Sequence, residues 1–502
     1  MKSESQQLSE YDTKMIQQFQ KLVSNDTLTL DNEENVSSLS FIPKLNVTEL
    51  TIIDIEIIPK LTDDGIKKLS IYHCNLQSID ELELKNLEVL QLYGNNIKSI
   101  KTIVGYQNLK ELVLSHNTKI DIAPLQYMVQ LTSINLQQCK LKDISILQFL
   151  VNLKVLDLSF NENIDIDPLK YQVQLSDLKL NICALKDMSP ISQLHNLKVL
   201  EIAGNKLENI YAIQNLVNLI SLNVGENKLK DISILEKFPN LKEIVLNHNE
   251  GVDIAPLSRL PQLTKIGLHS CKLQSIQVLT QLVNLEDLTI SWNTNIDISP
   301  LKYFQKLRCL NMSEIAVKNI QVLRYLTNLQ KLDCSYNQGL DITPIQFLVQ
   351  LNELYIHNCD IHSIYQLRPL VNLEKYLELS QNCITDISPL EHLTKLQMIY
   401  LSYNKIIDFN TVMNHPTYHL LDQESQEFPT IVEQAFAKRM MQVDSLNIMH
   451  QKLGRCLKPV VEHYSESKQR VNSLIKKQCT NQIQFVNLVA KVFLTINSVD
   501  FQ

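Results

Sequence analysis

Carboxylates recur in register along this chain. Asp121, Asp143, Asp165, Asp187, Asp231, Asp253, Asp297, Asp341, Asp386 and Asp408 each stand four residues beyond an asparagine or cysteine of one repeated column. Two chemistries could use such a row. Calcium takes several oxygen ligands, so stacked carboxylates could hold it. One acid ahead of a Pro-started turn is also what a helix cap requires, and several of these acids have proline three residues on, as in Asp121 to Pro124 and Asp297 to Pro300. The capping spacing is the closer match, so the aspartates are assigned to turns and no metal site is expected.

Nucleophilic chemistry finds less support. Of 10 Cys, five occupy the repeated column itself and do not show the spacings of a disulfide or zinc framework. Cys456 and Cys479 lie near the C-terminus with no evident base and acid beside them, whereas a reactive thiol needs an electropositive, accessible setting. Walker loop, Gly-rich dinucleotide turn, nucleophile elbow and His-Glu-x-x-His are all missing from the sequence. No catalytic residue and no cofactor is expected.

The elements that must position these residues follow from the column. It reads Cys74, Asn95, Asn117, Cys139, Asn161, Cys183, Asn205, Asn227, Asn249, Cys271, Asn293, Ile315, Asn337, Cys359, Asn382 and Asn404, at a step of about 22 residues. Ahead of each anchor Leu-x-Leu alternates with period two, which predicts a short strand with its apolar side chains facing inward. Beyond the anchor, apolar residues come three apart, as Leu229, Ile232 and Leu235 do, which suits a 3₁₀ turn. Each anchor lies where the chain turns inward and strands backbone donors and acceptors; an asparagine amide can satisfy both kinds, and cysteine substitutes as a small buried weak donor. The column is therefore read as a structural ladder. Ile315 offers neither group, so its coil is expected to be looser or helped by water.

Solenoids grow by adding coils to one continuous core, so 502 residues are compatible with one long repeat domain. Residues 1–24 are assigned to an N-terminal helical cap, in which Ser9 caps a helix with Tyr11, Met15, Ile16, Phe19 and Leu22 on one face. Repeats occupy 25–410, about 18 coils, beginning with two degenerate copies marked by Leu28, Leu30, Val36 and Leu39, then Leu50, Ile52 and Ile57. The step from Cys359 to Asn382 is one residue longer, which predicts a small bulge near Tyr376. A C-terminal cap segment is assigned to 411–430 and a basic helical tail to 431–502, the latter suited to contact with an acidic surface.

The net charge of -7 argues against whole-molecule nucleic-acid binding. Met1 to Asp12 is polar without an apolar signal region, and no stretch approaches a membrane span. The chain is expected in the cytoplasm or nucleus, as a monomer.

The repeats resemble the 22-residue class of leucine-rich repeats found in internalins and in a regulatory subunit of protein phosphatase-1. That resemblance implies an α/β solenoid: a curved horseshoe with a parallel β-sheet on the concave face, short 3₁₀ or irregular turns on the convex face, and helical terminal segments. It also implies that the concave face binds a protein partner. Outward strand positions on that face are Tyr93, Asn135, Asp157, Lys179, Glu201, Asn223, His269, Asp287, Asp333, Tyr355, His357 and Tyr400, flanked by Tyr403. A second period of about 44 residues places His116, Phe160, His248, Trp292 and Tyr336 just before alternate anchors, about 10 Å apart along one edge if coils stack as strands do. Exposed aromatic and acidic residues on a rigid surface supply anchors and charge selection for a partner. The reading is a non-catalytic cytosolic scaffold or regulatory subunit. The alternatives are a surface or secreted internalin-like adhesin and, third, an enzyme with its activity in the C-terminal tail.

Overall fold

Extended backbone sends successive side chains to opposite faces, and the computed structural model has that alternation in the short strands before the anchors. Ser221–Asn223 is representative: Leu222 is buried, while Ser221 and Asn223 stay partly exposed on the other face. The structure describes residues 10–406 apart from 32–41, 43–44, 56–59, 64 and 85. The chain divides into two compact units, Met1–Ile315 and Ala316–Gln502. The division falls directly after Ile315, the member of the anchor column that has neither amide nor thiol.

In the first unit, Thr27–Asp31 pairs in parallel with Glu49–Ile53, setting Leu28 opposite Leu50 and Leu30 opposite Ile52. Parallel pairing then continues through Lys68–Tyr72 and Val89–Gln91 to Cys309–Asn311. Register advances one repeat per strand, so that Leu178, Leu200, Leu222 and Ile244 stand side by side. Like packs on like, and the coils share one uninterrupted apolar interior. The return legs are short 3₁₀ helices such as Ala123–Tyr127 and Ser299–Tyr303. Three residues per turn aligns Ile122, Leu125 and Met128 on one buried edge, which explains why the apolar spacing here is three.

In the second unit, Lys331–Asp333, Glu353–Tyr355, Tyr376–Glu378 and Met398–Tyr400 pair in parallel in that order. The inserted residue is taken up ahead of the third strand. The N–H groups of Glu374 and Lys375 both donate to the Asn352 carbonyl, at 3.3 and 3.0 Å, and the strand itself keeps Tyr376 opposite Glu353.

The N-terminal helix runs Glu10–Phe19 and buries Met15 and Phe19. Leu22, expected on the same apolar face, is 54% exposed, because the helix ends at Phe19 and the chain turns there, the Leu22 N–H bonding the Phe19 carbonyl. Among the described residues no helix is long and apolar enough to cross a membrane. Ser9, Val36, Leu39, Ile57, Asp408, the 411–430 and 431–502 segments, and Cys456 and Cys479 lie outside the described residues.

Candidate functional site

The site is a face whose side chains are held by the anchors behind it. Asn227 donates through Nδ2 to Val224 and Gly225 of its own coil and to Ile202 of the coil before, each at 3.0 Å, and its Oδ1 accepts the Leu207 N–H at 3.1 Å. Asn117, Asn161, Asn205, Asn249, Asn293, Asn382 and Asn404 repeat that pattern. Asn95 does the same one coil earlier, reaching Ile71. Asn337 bonds Cys334 and Ser335 of its own coil and the Val317 N–H. Cysteine anchors use Sγ for the equivalent backward bond: Cys139 to Leu114, Cys183 to Leu158, Cys271 to Leu246, Cys359 to Cys334 and, more weakly, Cys74 to Ile52. The asparagine oxygen that follows a cysteine anchor also takes the cysteine N–H at Cys74, Cys183, Cys271 and Cys359.

The aspartate column works one residue ahead of the turn. Asp121 Oδ1 accepts the Ala123 N–H at 3.0 Å, and Asp143, Asp165, Asp187, Asp231, Asp253, Asp297, Asp341 and Asp386 each accept from the residue two further on. The residue that opens each turn is the isoleucine or methionine in between, which has no side-chain cap to offer. A carboxylate two residues back satisfies the first exposed N–H instead.

On the outward strand face, Asp157, Lys179, Glu201 and Asn223 occupy one register row on adjacent strands, with Lys179 Nζ 2.8 Å from Glu201. Several of these polar groups are partly spent on their own backbone. Asn135, Asp157, Asn223 and Asp333 each accept the N–H two residues on, where the three-residue strand has ended. Asp287 faces Lys265 at 3.4 Å.

The aromatic residues meet diagonally. Tyr93 stands two before its anchor and touches His73 and His116 of the flanking coils, at 5.0 and 4.7 Å between ring centroids. His269 bridges His248 and Trp292 in the same way, at 4.6 and 5.9 Å. In the second unit His357 meets Tyr336 at 5.0 Å, and Tyr355 stacks on Tyr376 at 6.3 Å. The residue just before each anchor has left-handed backbone: φ is 63° at His116, 62° at Phe160, 56° at His248, 59° at Trp292, 59° at Tyr336 and 56° at Tyr403. That conformation turns its N–H toward the next coil, where Trp292 bonds Ser313 and Tyr336 bonds His357. Burial, with His248 nearby, draws the His269 imidazole below the ordinary histidine range, so it stands neutral among the rings near pH 7.

Comparison with known proteins agrees with this geometry. The family described as leucine rich repeats, 2 copies, matches residues 85–127, 129–171, 217–259 and 375–412. The chain is a leucine-rich repeat protein. A leucine-rich repeat protein of Leptospira interrogans has the same fold at a TM-score of 0.56, with 23% identity over 68% of this chain and 91% of that one. Two internalins of Listeria monocytogenes are also similar. For inlF the identity is 28%, covering 68% of this chain and 87% of that one, with a TM-score of 0.41. For internalin C2 it is 30%, covering 41% and 81%, with a TM-score of 0.33. No curated protein matches the sequence.

The leucine-rich repeats carry a second apolar surface that the sequence reading missed. On the turn side of three consecutive coils, Tyr127, Phe149 and Tyr171 are exposed, with Val129, Val151 and Val173 exposed beside them. Their signal was the aromatic ten residues beyond the anchor, in the last position of each 3₁₀ helix. The apolar period of three masked it, because an extra apolar residue inside a return leg reads as core. His73 and Tyr72 were likewise missed: they precede Cys74, the first anchor of the column.

Proposed function

We propose that this leucine-rich repeat protein is a non-catalytic cytosolic scaffold or regulatory subunit that binds a protein partner through its outward strand face. One observation carries the reading: the chain's single tryptophan, Trp292, is 53% exposed at the edge of that face, its ring 5.9 Å from that of His269 and its backbone N–H bonded to Ser313 of the next coil. A large, exposed aromatic ring offers the area that interface anchors use. In the first unit, Asp157 and Glu201 share one register row across Lys179 and Asp287 stands in the row beside it, acidic groups that favour a partner presenting basic residues. Leucine-rich repeats as a class support protein–protein interaction, in agreement with this assignment.

Trp292 makes the test direct. Proteins retained by the full chain are identified by affinity purification from cytosolic extract, then titrated against the purified chain while tryptophan emission is read. Binding at the strand face shifts that emission, and Trp292→Ala weakens the partner at least tenfold with an unchanged unfolding midpoint. An undisturbed emission, with binding lost instead on replacing Tyr127, Phe149 and Tyr171 by Ser, would move the interface to the turn side.

A further inference from the structure

In the second unit, Asp360, His362 and Cys383 come together from two adjacent coils, one ligand atom of each lying within 4.8 Å of the others. We propose that these three side chains form a zinc-binding site. Carboxylate, imidazole and thiolate are the three donor types zinc takes from proteins.

The backbone beneath the cluster is pinned by the ladder. Asn382 Oδ1 accepts the N–H groups of both Cys359 and Ile361, at 3.0 Å each, and Asp360 lies between those two residues. The next residue after Asn382 is Cys383, whose own N–H donates to the Ile361 carbonyl at 2.8 Å. One anchor therefore fixes the backbone segments that present all three ligands. Asp360 has left-handed backbone at φ 58°, and the His362 ring is held to its own coil by Nδ1, 2.9 Å from the Asp360 carbonyl.

In several other coils these positions hold lysine. One residue beyond the anchor stand Lys140, Lys206, Lys228 and Lys272, and three beyond stand Lys142, Lys186, Lys230 and Lys318. Such lysines repel a cation. At Cys359 the pair becomes Asp360 and His362, and the next coil adds Cys383 at the first of the two positions.

Tetrahedral zinc bonds of about 2.0–2.3 Å set ligand atoms roughly 3.5 Å apart, so the cluster closes by about an ångström of side-chain rotation. Asp360 and His362 are exposed and Cys383 half-buried, and with Nδ1 against the Asp360 carbonyl the imidazole binds through Nε2 or exchanges that contact for the metal. On binding, the Cys383 thiol gives its proton to solvent and the resulting thiolate and the Asp360 carboxylate balance the ion's two charges. Three protein donors leave the fourth position to water, the mark of an exchangeable site.

The test uses the full chain without a histidine tag and Co²⁺ as the optical probe, followed by Zn²⁺ alone in calorimetry and thermal unfolding. A thiolate-to-cobalt charge-transfer band at one equivalent is expected, abolished in Cys383→Ser. His362→Ala and Asp360→Asn should each weaken Zn²⁺ at least tenfold, in line with losses on disturbing a metal's surroundings. Zn²⁺ should raise the unfolding temperature of the unaltered chain and not that of Cys383→Ser. A cobalt–thiolate band that persists in Cys383→Ser, or that never forms in the unaltered chain, overturns the assignment.

Discussion

Ile182 leans over Gly204: a Cβ placed on the glycine would stand 2.5 Å from Ile182 Cγ1, and both residues hold left-handed backbone, at φ 55° and 67°. The same relation recurs five coils earlier, where a Cβ on Gly94 would meet the His73 ring at 2.5 Å. Residues just before successive anchors share one crowded edge. A branched side chain there is accommodated because its neighbour has none.

Gly204→Ala should accordingly cost about 1–3 kcal/mol, from the left-handed penalty of a Cβ and from the overlap with Ile182. Adding Ile182→Gly to the same chain should return part of that loss, since the second change removes both the clash and a strained β-branched residue. Urea midpoints of the three variants decide it; a neutral Gly204→Ala would mean the two coils do not approach this closely.

Asn227→Ala removes three donated bonds and the acceptor for Leu207, leaving buried backbone groups unmatched in mid-array. A loss of about 1–3 kcal/mol is expected from that desolvation. Asn227→Cys should lose less, because cysteine anchors elsewhere keep the backward bond through Sγ. Equal midpoints for Asn227→Ala and the unaltered chain would remove the ladder from the list of stabilising features.

The capping aspartates set an acid limit. The Ser145 backbone N–H holds Asp143 below the ordinary carboxylate range, the Ser189 hydroxyl does so for Asp187, and the Thr343 hydroxyl for Asp341. A group whose folded pKa lies under its unfolded value stabilises the fold above that unfolded value and ceases to as pH falls through the folded one. The unfolding temperature should thus be flat toward neutral pH and drop below about pH 4, the unfolded aspartate value. Replacing Asp143, Asp187 and Asp341 by Asn keeps an oxygen for the N–H and removes the charge, so the drop should become shallower; an equally steep drop in the triple variant counts against the caps.

Thiol labelling separates anchors from surface. Burial pushes Cys139 up to about 12 and Cys183, Cys271 and Cys359 to about 11, so these stay protonated donors inside the ladder. Iodoacetamide at about pH 8 needs a thiolate it can reach. Among the described cysteines, Cys309 and Cys383, both half-exposed, should be modified first, and the four anchors only in denaturant. Labelling of native Cys183 as fast as Cys383, followed by mass spectrometry of the peptides, would show the column to be open.

Much of the fold was legible because each coil repeats one arithmetic. Leu219, Leu222 and Val224 face inward for the same reason that Leu229, Ile232 and Leu235 line a 3₁₀ leg: periods of two and three leave a distinct apolar imprint on the chain. The candidate site was legible only as columns. That Tyr93 and His269 join rings from the flanking coils depends on side chains two and one residues before neighbouring anchors leaning toward each other, which no period within a single coil encodes. Leu22 shows the opposite limit: an apolar residue at helical spacing is on a helix only while the helix lasts.

The sequence by itself determined that a strand, an inward-turning polar anchor and a short return leg recur along this chain, because the side chains needed to bury a coil and satisfy its backbone lie within about 22 residues of one another. Tertiary structure decided what lies across coils: that Ile182 shelters Gly204, that Tyr93 and His269 join rings from the flanking coils, and that Asp360 and His362 meet Cys383. Those relations arise between residues about 20 positions apart, brought within a few ångströms by stacking at strand spacing, and local propensity carries no record of them.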